Sequence, residues 1–304
     1  MISADDLRFF AAIAASPSLA AAARALDVSP PAVTQRLHAL EAKLGVHLLD
    51  RRGRHLTLTD EGELLAERGS EIIESLSSLS DALTERRGEV TGSLRVIAPF
   101  GFGRRHIAPM IAQFQTGHPR LHVDLHLSDR LGRTPEETWD IAIHVGALAD
   151  VTPSLTLRHL APNERYLCAS PLYLSRFAAP KSPSDLRAHR CIALRENDED
   201  VTLWRFRARH GGKDEKIRID PYLASNDGDV VKEWALAGCG VILRSEWDVA
   251  DDLRSGRLIR ILDEHDLPAA PVVAFSGARR NARAARTRRF LDLLSARFQH
   301  PPWR

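Results

Sequence analysis

The sequence predicts a multidomain fold in which a helix-rich N-terminal region, one long helix and a larger α/β region follow one another. Its 304 residues are about twice the length of a typical single domain. Apolar residues recur with helical spacing in short stretches over residues 1–58, whereas strand and helix patterns alternate from Ser93 onwards. Between these regions, the roughly 29 residues from Thr59 to about Arg87 contain no proline and would span roughly 43 Å as one helix.

Composition excludes several classes of protein. Charged residues make up 27% and hydrophobic residues 44%, which is typical of a folded globular chain and not of a disordered or disulfide-scaffold protein. The net charge is only +2, so nucleic-acid binding would have to depend on a local basic patch. The longest apolar run, Phe9–Ala15, is far shorter than the roughly 20 residues of a membrane span. Three cysteines without a CxxC motif, and a start that lacks a signal peptide's basic flank, favour a reduced, cytoplasmic chain.

The first 58 residues show the start and stop signals of consecutive helices. Ser18 is a suitable N-cap for a helix over Leu19–Leu26, and a short turn follows. Ser29 is suited to cap the next helix, with Pro30 at the first helical position, and Gly45 is a natural stop. Four apolar residues of this helix share one face: Val33, Leu37, Leu40 and Leu44.

This pair of helices has the spacing of a helix–turn–helix, in which one helix supports another lying in the DNA major groove. Pro31, Thr34, Gln35 and His38 lie off the apolar face, near the start of the second helix, where base edges are within reach. Gln35 can pair with adenine through two hydrogen bonds, and Thr34 can contact base edges or the thymine methyl group. The alternative is an unrelated helical bundle whose polar residues face water.

Three arginines follow the helix pair on a tight turn between short extended segments: Arg51, Arg52 and Arg54. A turn of this kind suits DNA phosphates or the minor groove and would form a wing, although a solvated turn is the alternative. Residues 1–58 carry seven basic and five acidic side chains. One such domain is therefore expected to bind DNA weakly, and a dimer is needed.

The long helix carries a heptad-like row of apolar residues that is interrupted at Gly69. Such a row is difficult to bury within one small domain, which predicts a dimerisation helix. The alternative is a long helix packed on its own domain. The residues of the predicted seam are Leu65, Ile72, Leu76, Leu79 and Leu83.

The C-terminal region alternates strands and helices, which predicts mostly parallel sheets. Its clearest strands are Leu121–Leu127 and Ile141–Val145, and Thr202–Ala208 with Lys216–Ile219 is predicted to form a hairpin. Two helix starts, one after Pro99–Gly103 and one at Asn226-Asp227, could hold a small carboxylate through free backbone N–H groups. Alternatively, the second pair of residues only caps its helix.

Other chemistry is disfavoured. The stretch Pro99–Gly103 resembles a dinucleotide-binding fingerprint, but His106 replaces its third glycine. His122 and His126 share a strand face without a further ligand at metal spacing. The sequence contains no recognised nucleophile or P-loop motif. We therefore predict no cofactor, no metal, no catalytic residues and no enzymatic activity. Redox sensing by Cys168 and Cys191 is also disfavoured, and the arginines of residues 279–289 are interpreted as the solvated face of a helix.

The whole chain resembles the LysR-type transcriptional regulators. The resemblance covers roughly residues 5–298 and is most specific in the N-terminal region. The segments that carry it are Leu7–Phe10, Ser18–Leu26, Val28–Leu37, Leu40–Glu41, Leu44–Leu49 and Leu58–Gly62. Further segments that look like one large subgroup of the family are Phe102–Asp185, with its Leu167–Pro171 stretch, and Asn226–Gly228.

The resemblance implies a winged helix–turn–helix domain (1–58), a linker and dimerisation helix (59–88) and a two-lobed α/β effector-binding domain. This last domain is similar to type 2 periplasmic binding proteins, with lobe 1 formed by 92–163 plus 267–304 and lobe 2 by 164–266. Family base-reading positions fall on Pro30, Pro31, Thr34 and Gln35. Pro30 stands where glutamine is commonest and Gln35 where arginine is frequent, so the operator preference of relatives does not transfer. The full set of expected DNA-binding residues is Ser18, Ser29, Pro30, Pro31, Thr34, Gln35, Arg36, His38, Arg51, Arg52 and Arg54.

The resemblance also places an effector pocket between the two lobes. Its expected residues are Phe100, Gly101, Phe102, Gly103, Ser128, His144, Val145, Gly146, Trp204, Ser225, Asn226, Asp227 and Ile242. Trp204 would be an apolar wall of this pocket, or alternatively a core residue of the hairpin. The implied function is regulation of transcription by a dimer of dimers that binds an interrupted palindrome in double-stranded DNA. A small, anionic effector would modulate it, and RNA polymerase would be a partner of an activator. The alternative is a solute-binding protein without DNA function.

Overall fold

A computed structural model describes residues 1–50, 56–85, 89–128, 139–146, 155–195, 201–209, 214–277 and 284–304. The chain forms two compact units, Met1–Arg86 and Arg87–Arg304. Within the described residues, no helix combines the length and apolar character that a membrane crossing requires. The elements of the first unit are α1 (Ala4–Ala14), α2 (Leu19–Ala25), α3 (Pro30–Leu44), β1 (Leu49–Asp50), β2 (Thr57–Leu58) and α4 (Asp60–Glu85).

Local signals explain where the first three helices begin and end. The Ser18 hydroxyl accepts a hydrogen bond from the Ala21 N–H at 3.2 Å, which satisfies one of the free donors at the start of α2. Asp27 adopts a φ of +55° in the turn between α2 and α3. Gly45 ends α3 with a φ of +73°, a left-handed conformation in which glycine has no Cβ penalty.

The core of the first unit is shared by α1, α2, α3 and the start of α4. Phe10 and Ile13 of α1 are fully buried beside Val33 of α3. The buried Glu41 carboxylate accepts a hydrogen bond from the Leu48 N–H at 2.8 Å, which connects α3 to the chain entering β1. Leu65 of α4 packs against the same core. Leu65 was predicted to lie on the dimer seam; within this chain the half-buried side chain packs on the core of its own domain, since α1 lies against the first turns of α4, and its part in a dimer stays a prediction.

Gly69 explains why the predicted apolar row is interrupted. A Cβ at this position would lie 3.2 Å from the Leu7 side chain of α1, so glycine permits the close approach of the two helices. The apolar residues of α4 therefore divide into two groups. Leu65 is in the domain core, whereas Ile72, Leu76, Leu79 and Leu83 are between 43% and 59% exposed.

The second unit contains two five-stranded sheets and one three-stranded sheet. Its strands are β3 (Gly92–Ala98), β4 (Leu121–Leu127), β5 (Ile141–Val145), β6 (Leu155–Ala161), β7 (Arg165–Ala169), β8 (Cys191–Leu194), β9 (Leu203–Ala208), β10 (Glu215–Arg218), β11 (Pro221–Ser225), β12 (Val241–Ser245), β13 (Ile259–Arg260), β14 (His265–Asp266) and β15 (Val272–Gly277). The sheet orders are β4-β3-β5-β15-β6, β11-β8-β12-β7-β13 and β10-β9-β14. We call the part built on the first sheet lobe 1 and the part built on the other two sheets lobe 2.

The sheets are mixed, which corrects the prediction of mostly parallel ones. In lobe 1, β3 pairs in parallel with β4 and β5, but β15 is antiparallel to both β5 and β6. The reason is that the chain leaves lobe 1 after β6 and returns through β15. Residues 162–164 and 267–271, which we call the crossing segments, connect the lobes, and neither segment is a helical crossover of the kind that joins parallel neighbours.

The helices of the second unit cover these sheets. They are α5 (Phe100–Phe102), which continues through a π-helical turn (Gly103–Ile107), then α6 (Ala108–Gly117), α7 (Pro171–Leu174), a 3₁₀ helix (Pro183–Ala188), α8 (Gly228–Leu236), α9 (Glu246–Arg254) and α10 (Ala285–Phe298). Cys168 and Cys191 are buried, and burial raises the pKa of both thiols to about 12.

Candidate nucleic-acid interface and ligand cleft

The polar residues at the start of α3 lie on the surface of the first unit. Pro31, Gln35 and His38 are exposed, while Val33 and Leu37 on the opposite face are buried. Thr34 is half-buried, and its hydroxyl donates a hydrogen bond to the Pro30 carbonyl at 3.1 Å. The hydroxyl proton is therefore used within the helix, which leaves the methyl group and the oxygen lone pairs for a neighbouring group.

Ser29 stands at the N-cap of α3, but its side chain makes no capping hydrogen bond. Pro30 and Pro31 have no N–H at the first two helical positions, so Ala32 carries the first N–H that such a cap could accept, and no hydrogen bond joins it to the Ser29 side chain. The predicted side-chain cap is therefore wrong, and the exposed Ser29 hydroxyl is not committed to this role. Ser18, in contrast, caps α2 as predicted.

Arg36 belongs to the contact between α3 and α1. Its guanidinium donates a hydrogen bond to the Asp5 carbonyl at 3.1 Å and lies 4.5 Å from the centre of the Phe9 ring. Lys43 of α3 pairs with Asp6 of α1 at 2.6 Å, and this hydrogen bond lowers the pKa of Asp6 to about 2. Arg36 thus helps to hold α1 against α3 in the structure, and its contact with DNA stays a prediction.

The segments on each side of the predicted wing pair as a short hairpin. Leu49 lies opposite Leu58, and Asp50 lies opposite Thr57. The Thr59 hydroxyl donates to the His47 carbonyl at 2.7 Å, which holds the return strand close to the end of α3. The wing residues Arg51, Arg52 and Arg54 lie outside the described residues, so their role stays a prediction.

The two predicted helix starts of the second unit come together across the lobes. The ends of β3, β4 and β5 share one edge of the first sheet, where Pro99–Gly103, Ser128 and Gly146 follow. Arg104, directly after this stretch, forms an ion pair with Asp229 in the first turn of α8 and lies 3.6 Å from Asp227. The structure thus brings together the segments that the sequence separates by more than a hundred residues.

The start of α8 is already supplied with negative charge. Asp227 is its N-cap, and one carboxylate oxygen accepts hydrogen bonds from the Asp229 and Val230 N–H groups at 2.8 and 3.4 Å. Gly228 lies against the Arg244 guanidinium, which leaves no space for a side chain. The capping interpretation of Asn226-Asp227 is therefore the one that the structure supports. Arg104, which the sequence analysis did not select, is the cation that faces this helix start.

Three residues predicted to line the cleft are instead core residues. Phe102 is fully buried in lobe 1, and Ile242 is the fully buried second residue of β12. Trp204 is 5% exposed in the core of lobe 2, and its indole N–H donates to the Val201 carbonyl at 3.2 Å. The alternating side-chain directions of β9 place Trp204 and Phe206 on the inner face. Six of the remaining residues lie at the ends of strands or directly after them: Ser128, His144, Val145, Gly146, Ser225 and Asn226. Phe100 and Gly101 lie in α5, and Gly103 begins the π-helical turn that follows it.

A buried ionic cluster lies behind the cleft, and sequence reasoning did not find it. The fully buried Asp248 carboxylate of α9 accepts hydrogen bonds from Lys232 at 2.7 Å and Arg244 at 2.8 Å, and Arg105 of lobe 1 lies 3.7 Å away. Burial alone raises the pKa of Asp248, but Arg244 and Lys232 outweigh it and hold that pKa below its ordinary value. The only sequence signal was an acidic residue on the apolar side of an amphipathic helix.

Trp247 connects α9 to lobe 1. Its ring packs edge-on against Phe102, with 5.3 Å between ring centres, and near His106 at 5.7 Å. Its backbone N–H donates to the Asn163 side chain at 3.1 Å, and Asn163 also donates to the Ala270 carbonyl at 2.8 Å. Burial, with Arg105 and Arg297 nearby, lowers the pKa of His106 to about 4, so this contact involves a neutral imidazole at neutral pH. Helix α9 is therefore attached to lobe 1 and to both crossing segments.

Comparison with known proteins gives two family matches. Residues 4–63 match the model of a bacterial regulatory helix-turn-helix protein of the lysR family, and residues 87–299 match the LysR substrate binding domain. The chain is 38% identical over 265 residues to the HTH-type transcriptional regulator DmlR of Escherichia coli K12, covering 87% of this chain and 85% of that protein. It is 36% identical to the HTH-type transcriptional activator TtdR of Escherichia coli, covering 86% of this chain and 83% of that protein.

Solved structures resemble this chain along its length. The LysR-type regulator CrgA from Neisseria meningitidis is 28% identical with a TM-score of 0.61, covering 97% of this chain and 99% of CrgA. The full-length Vibrio cholerae virulence activator AphB is similar in fold, with a TM-score of 0.62 at 24% identity, covering 98% of this chain and 100% of AphB.

Proposed function

The chain belongs to the LysR family of DNA-binding transcriptional regulators, and we propose that it binds an interrupted palindrome through paired α3 helices under control of a small anionic effector. Its relatives are named as regulators and activators of transcription. Accordingly, it is a regulator with an effector-binding domain and not an enzyme. The finer parts of the proposal rest on the side chains described above.

The exposed start of α3 is the observation that carries the DNA-binding proposal. In this proposal Gln35 and the half-buried Thr34 read base edges in the major groove, and the burial of the opposite face of α3 in the domain core supports this orientation. Ser29, Pro30, Pro31 and His38 surround them, and Ser18 with Arg51, Arg52 and Arg54 would contact phosphates. Because Pro30 has no polar side chain and Gln35 favours adenine, we expect the operator sequence of this protein to differ from those of its relatives.

The exposed apolar strip of α4 supports a dimer. We define this α4 strip as Ile72, Leu76, Leu79 and Leu83, four apolar side chains on one helix that the first unit itself leaves exposed. A contiguous apolar surface of this type is normally covered by a partner. In our proposal a second copy covers it, two dimers form the homotetramer, and the paired α3 helices then fit two half-sites.

For the effector, the charges at the cleft favour a small carboxylate held by Arg104. Such a ligand has to compete with Asp227 and Asp229 for the Arg104 guanidinium. Binding would therefore replace the ion pair between Arg104 and the α8 carboxylates by an ion pair between Arg104 and the ligand. The ligand would then favour a conformation in which the contact between the lobes is broken. If the protein activates transcription, RNA polymerase is the further partner.

The test is binding of the purified protein to the intergenic DNA beside its own gene, with scrambled competitor, at two salt concentrations. Gln35→Ala is expected to weaken specific binding by about 1–3 kcal/mol and to leave nonspecific binding nearly unchanged. Gln113→Ala, an exposed glutamine of α6, is the matched control. Equal losses on operator and scrambled DNA would show that Gln35 does not read bases. Absence of any specific complex, with or without added carboxylates, would contradict the proposed function.

A further inference from the structure

A cavity of about 460 Å³ lies beside the hairpin of lobe 2, away from the Arg104 end of the cleft. One wall is formed by β9 and β10. The other is formed by Glu164–Arg165, where the first crossing segment enters β7, and by Asp266–Ala269, where the second begins. Its volume is within the roughly 300–1,000 Å³ of small-molecule sites.

The walls of this cavity are rich in cations. Arg165, Arg205, Arg207, Lys216 and Arg260 line it, together with four carboxylates. Two of these carboxylates have arginine partners outside the lining. Glu164 lies 3.5 Å from Arg304, and Asp266 lies 2.6 Å from Arg209. Among the described lining residues, five cations therefore stand beside four carboxylates.

The register of the hairpin places two of these cations directly opposite each other. Arg205 of β9 is the cross-strand partner of Lys216 of β10, and both side chains are exposed. Arg207 lies two residues further along the same face. Like charges in directly opposed positions destabilise a sheet. The neighbouring pair, Trp204 opposite Ile217, is buried on the other face, so the register is held by the core and the repulsion cannot be relieved by a slip.

We propose that this hinge cavity, defined by Arg165, Arg205, Arg207, Lys216 and Arg260, binds a small anion with at least two negative charges. Guanidinium groups bind carboxylate and phosphate oxygens in pairs, and Leu267 supplies apolar surface for a short carbon skeleton. A di- or tricarboxylate and a phosphorylated compound share this chemistry. The site is additional to the cleft effector of the proposed function and does not depend on it.

Such a ligand would touch both chain segments that join the lobes. The lining includes residues on each side of the connection, Glu164 and Leu267 among them. Rotation of one lobe relative to the other changes backbone torsions in segments of this type. A bound anion would stabilise the arrangement in which its cations converge and would therefore influence the angle between the lobes.

The experiment is calorimetric titration of the full chain with citrate and, separately, with inorganic pyrophosphate at constant ionic strength. We expect saturable binding of at least one probe and at least a tenfold weakening in the double variant Arg205→Gln/Lys216→Gln. The matched control Lys181→Gln/Arg187→Gln removes two exposed cations elsewhere on lobe 2 and is expected to bind as wild type. Arg104→Gln, in the cleft, is also expected to leave this binding unchanged.

The outcomes distinguish a carboxylate ligand from a phosphate ligand, and the hinge cavity from the cleft at Arg104. Binding of citrate alone assigns a carboxylate ligand, and binding of pyrophosphate alone assigns a phosphate ligand; both support the proposal. Absence of saturable binding, equal weakening in the control, or loss only in Arg104→Gln would overturn it. The double variant without ligand should unfold at or above the wild-type temperature, since it removes a repulsion. Arg207→Gln provides an independent second variant, and operator binding by the same preparations tests the proposed function separately.

Discussion

Replacing Asp248 by asparagine tests whether the buried ionic cluster holds lobe 2 together behind the cleft. The carboxylate is fully buried, and its partners Lys232 and Arg244 have only 7% and 5% of their side chains exposed. Asp248→Asn keeps the shape but removes the negative charge, and the new amide N–H groups face cationic donors. Removal of one partner of a buried ion pair lowers the free energy of unfolding by about 3–5 kcal/mol, because the remaining charge stays buried without compensation. For a unit of this size, this corresponds to a fall in Tm of very roughly 6–20 °C.

The assay is thermal and urea unfolding of the variant beside Asp251→Asn, which removes an exposed carboxylate of the same helix. Asp251 pairs with Arg254 at 3.4 Å on the surface, so its loss should cost less than about 1 kcal/mol. Because the folded-state pKa of Asp248 is below its ordinary value, its contribution is present above about pH 4 and is lost as the pH falls through the folded pKa. The stability difference between wild type and variant should therefore shrink in acid. A difference under 1 kcal/mol at pH 7, or one that grows below pH 4, would refute the reasoning.

Three further perturbations address the DNA interface, the oligomer and the lobes. Arg52→Ala is expected to weaken specific and nonspecific DNA binding together and to reduce the salt slope by about one unit, measured by binding titrations in increasing salt. Leu79→Asp places a charge in the α4 strip and is expected to lower the dimer fraction, measured by sedimentation, and with it operator affinity. Trp247→Ala empties a packed site between α9 and lobe 1 and should cost about 3–5 kcal/mol of stability, measured by urea unfolding.

Each of these predictions has a control and a contrary result. Arg187→Ala removes an exposed arginine far from the wing in sequence, and an unchanged salt slope in Arg52→Ala would remove Arg52 from the phosphate contacts. Leu172→Asp is an exposed leucine outside α4, and a wild-type dimer fraction in Leu79→Asp would contradict the α4 strip as the interface. Tyr222→Ala removes a 55% exposed aromatic ring, and an equally small cost for Trp247→Ala would show that the lobes do not depend on this contact.

Much of the architecture was predictable because it depends on local signals. The bounds of β4 and β5 agree with the strands predicted at Leu121–Leu127 and Ile141–Val145, and the stop of α3 agrees with Gly45. The exposed position of Gln35 also follows from helical period, since Val33 and Leu37 define the opposite face. The predicted seam contains all four residues of the α4 strip and also Leu65, for which the sequence could not show that α1 lies against the first turns of the helix.

The sequence by itself determined the order of elements, the family and the surface that α3 presents, because caps, periodicity and motif spacing act over a few residues. The tertiary structure alone decided which residues meet across the lobes. Arg104 reaches Asp229, and Trp247 reaches Phe102, through a chain that leaves lobe 1 and returns. It also decided that Trp204 and Ile242 are core residues, since burial depends on which sheet face another element covers. Charge pairing between distant segments leaves no local pattern, and that is why Asp248 and the hinge cavity emerged only from the folded chain.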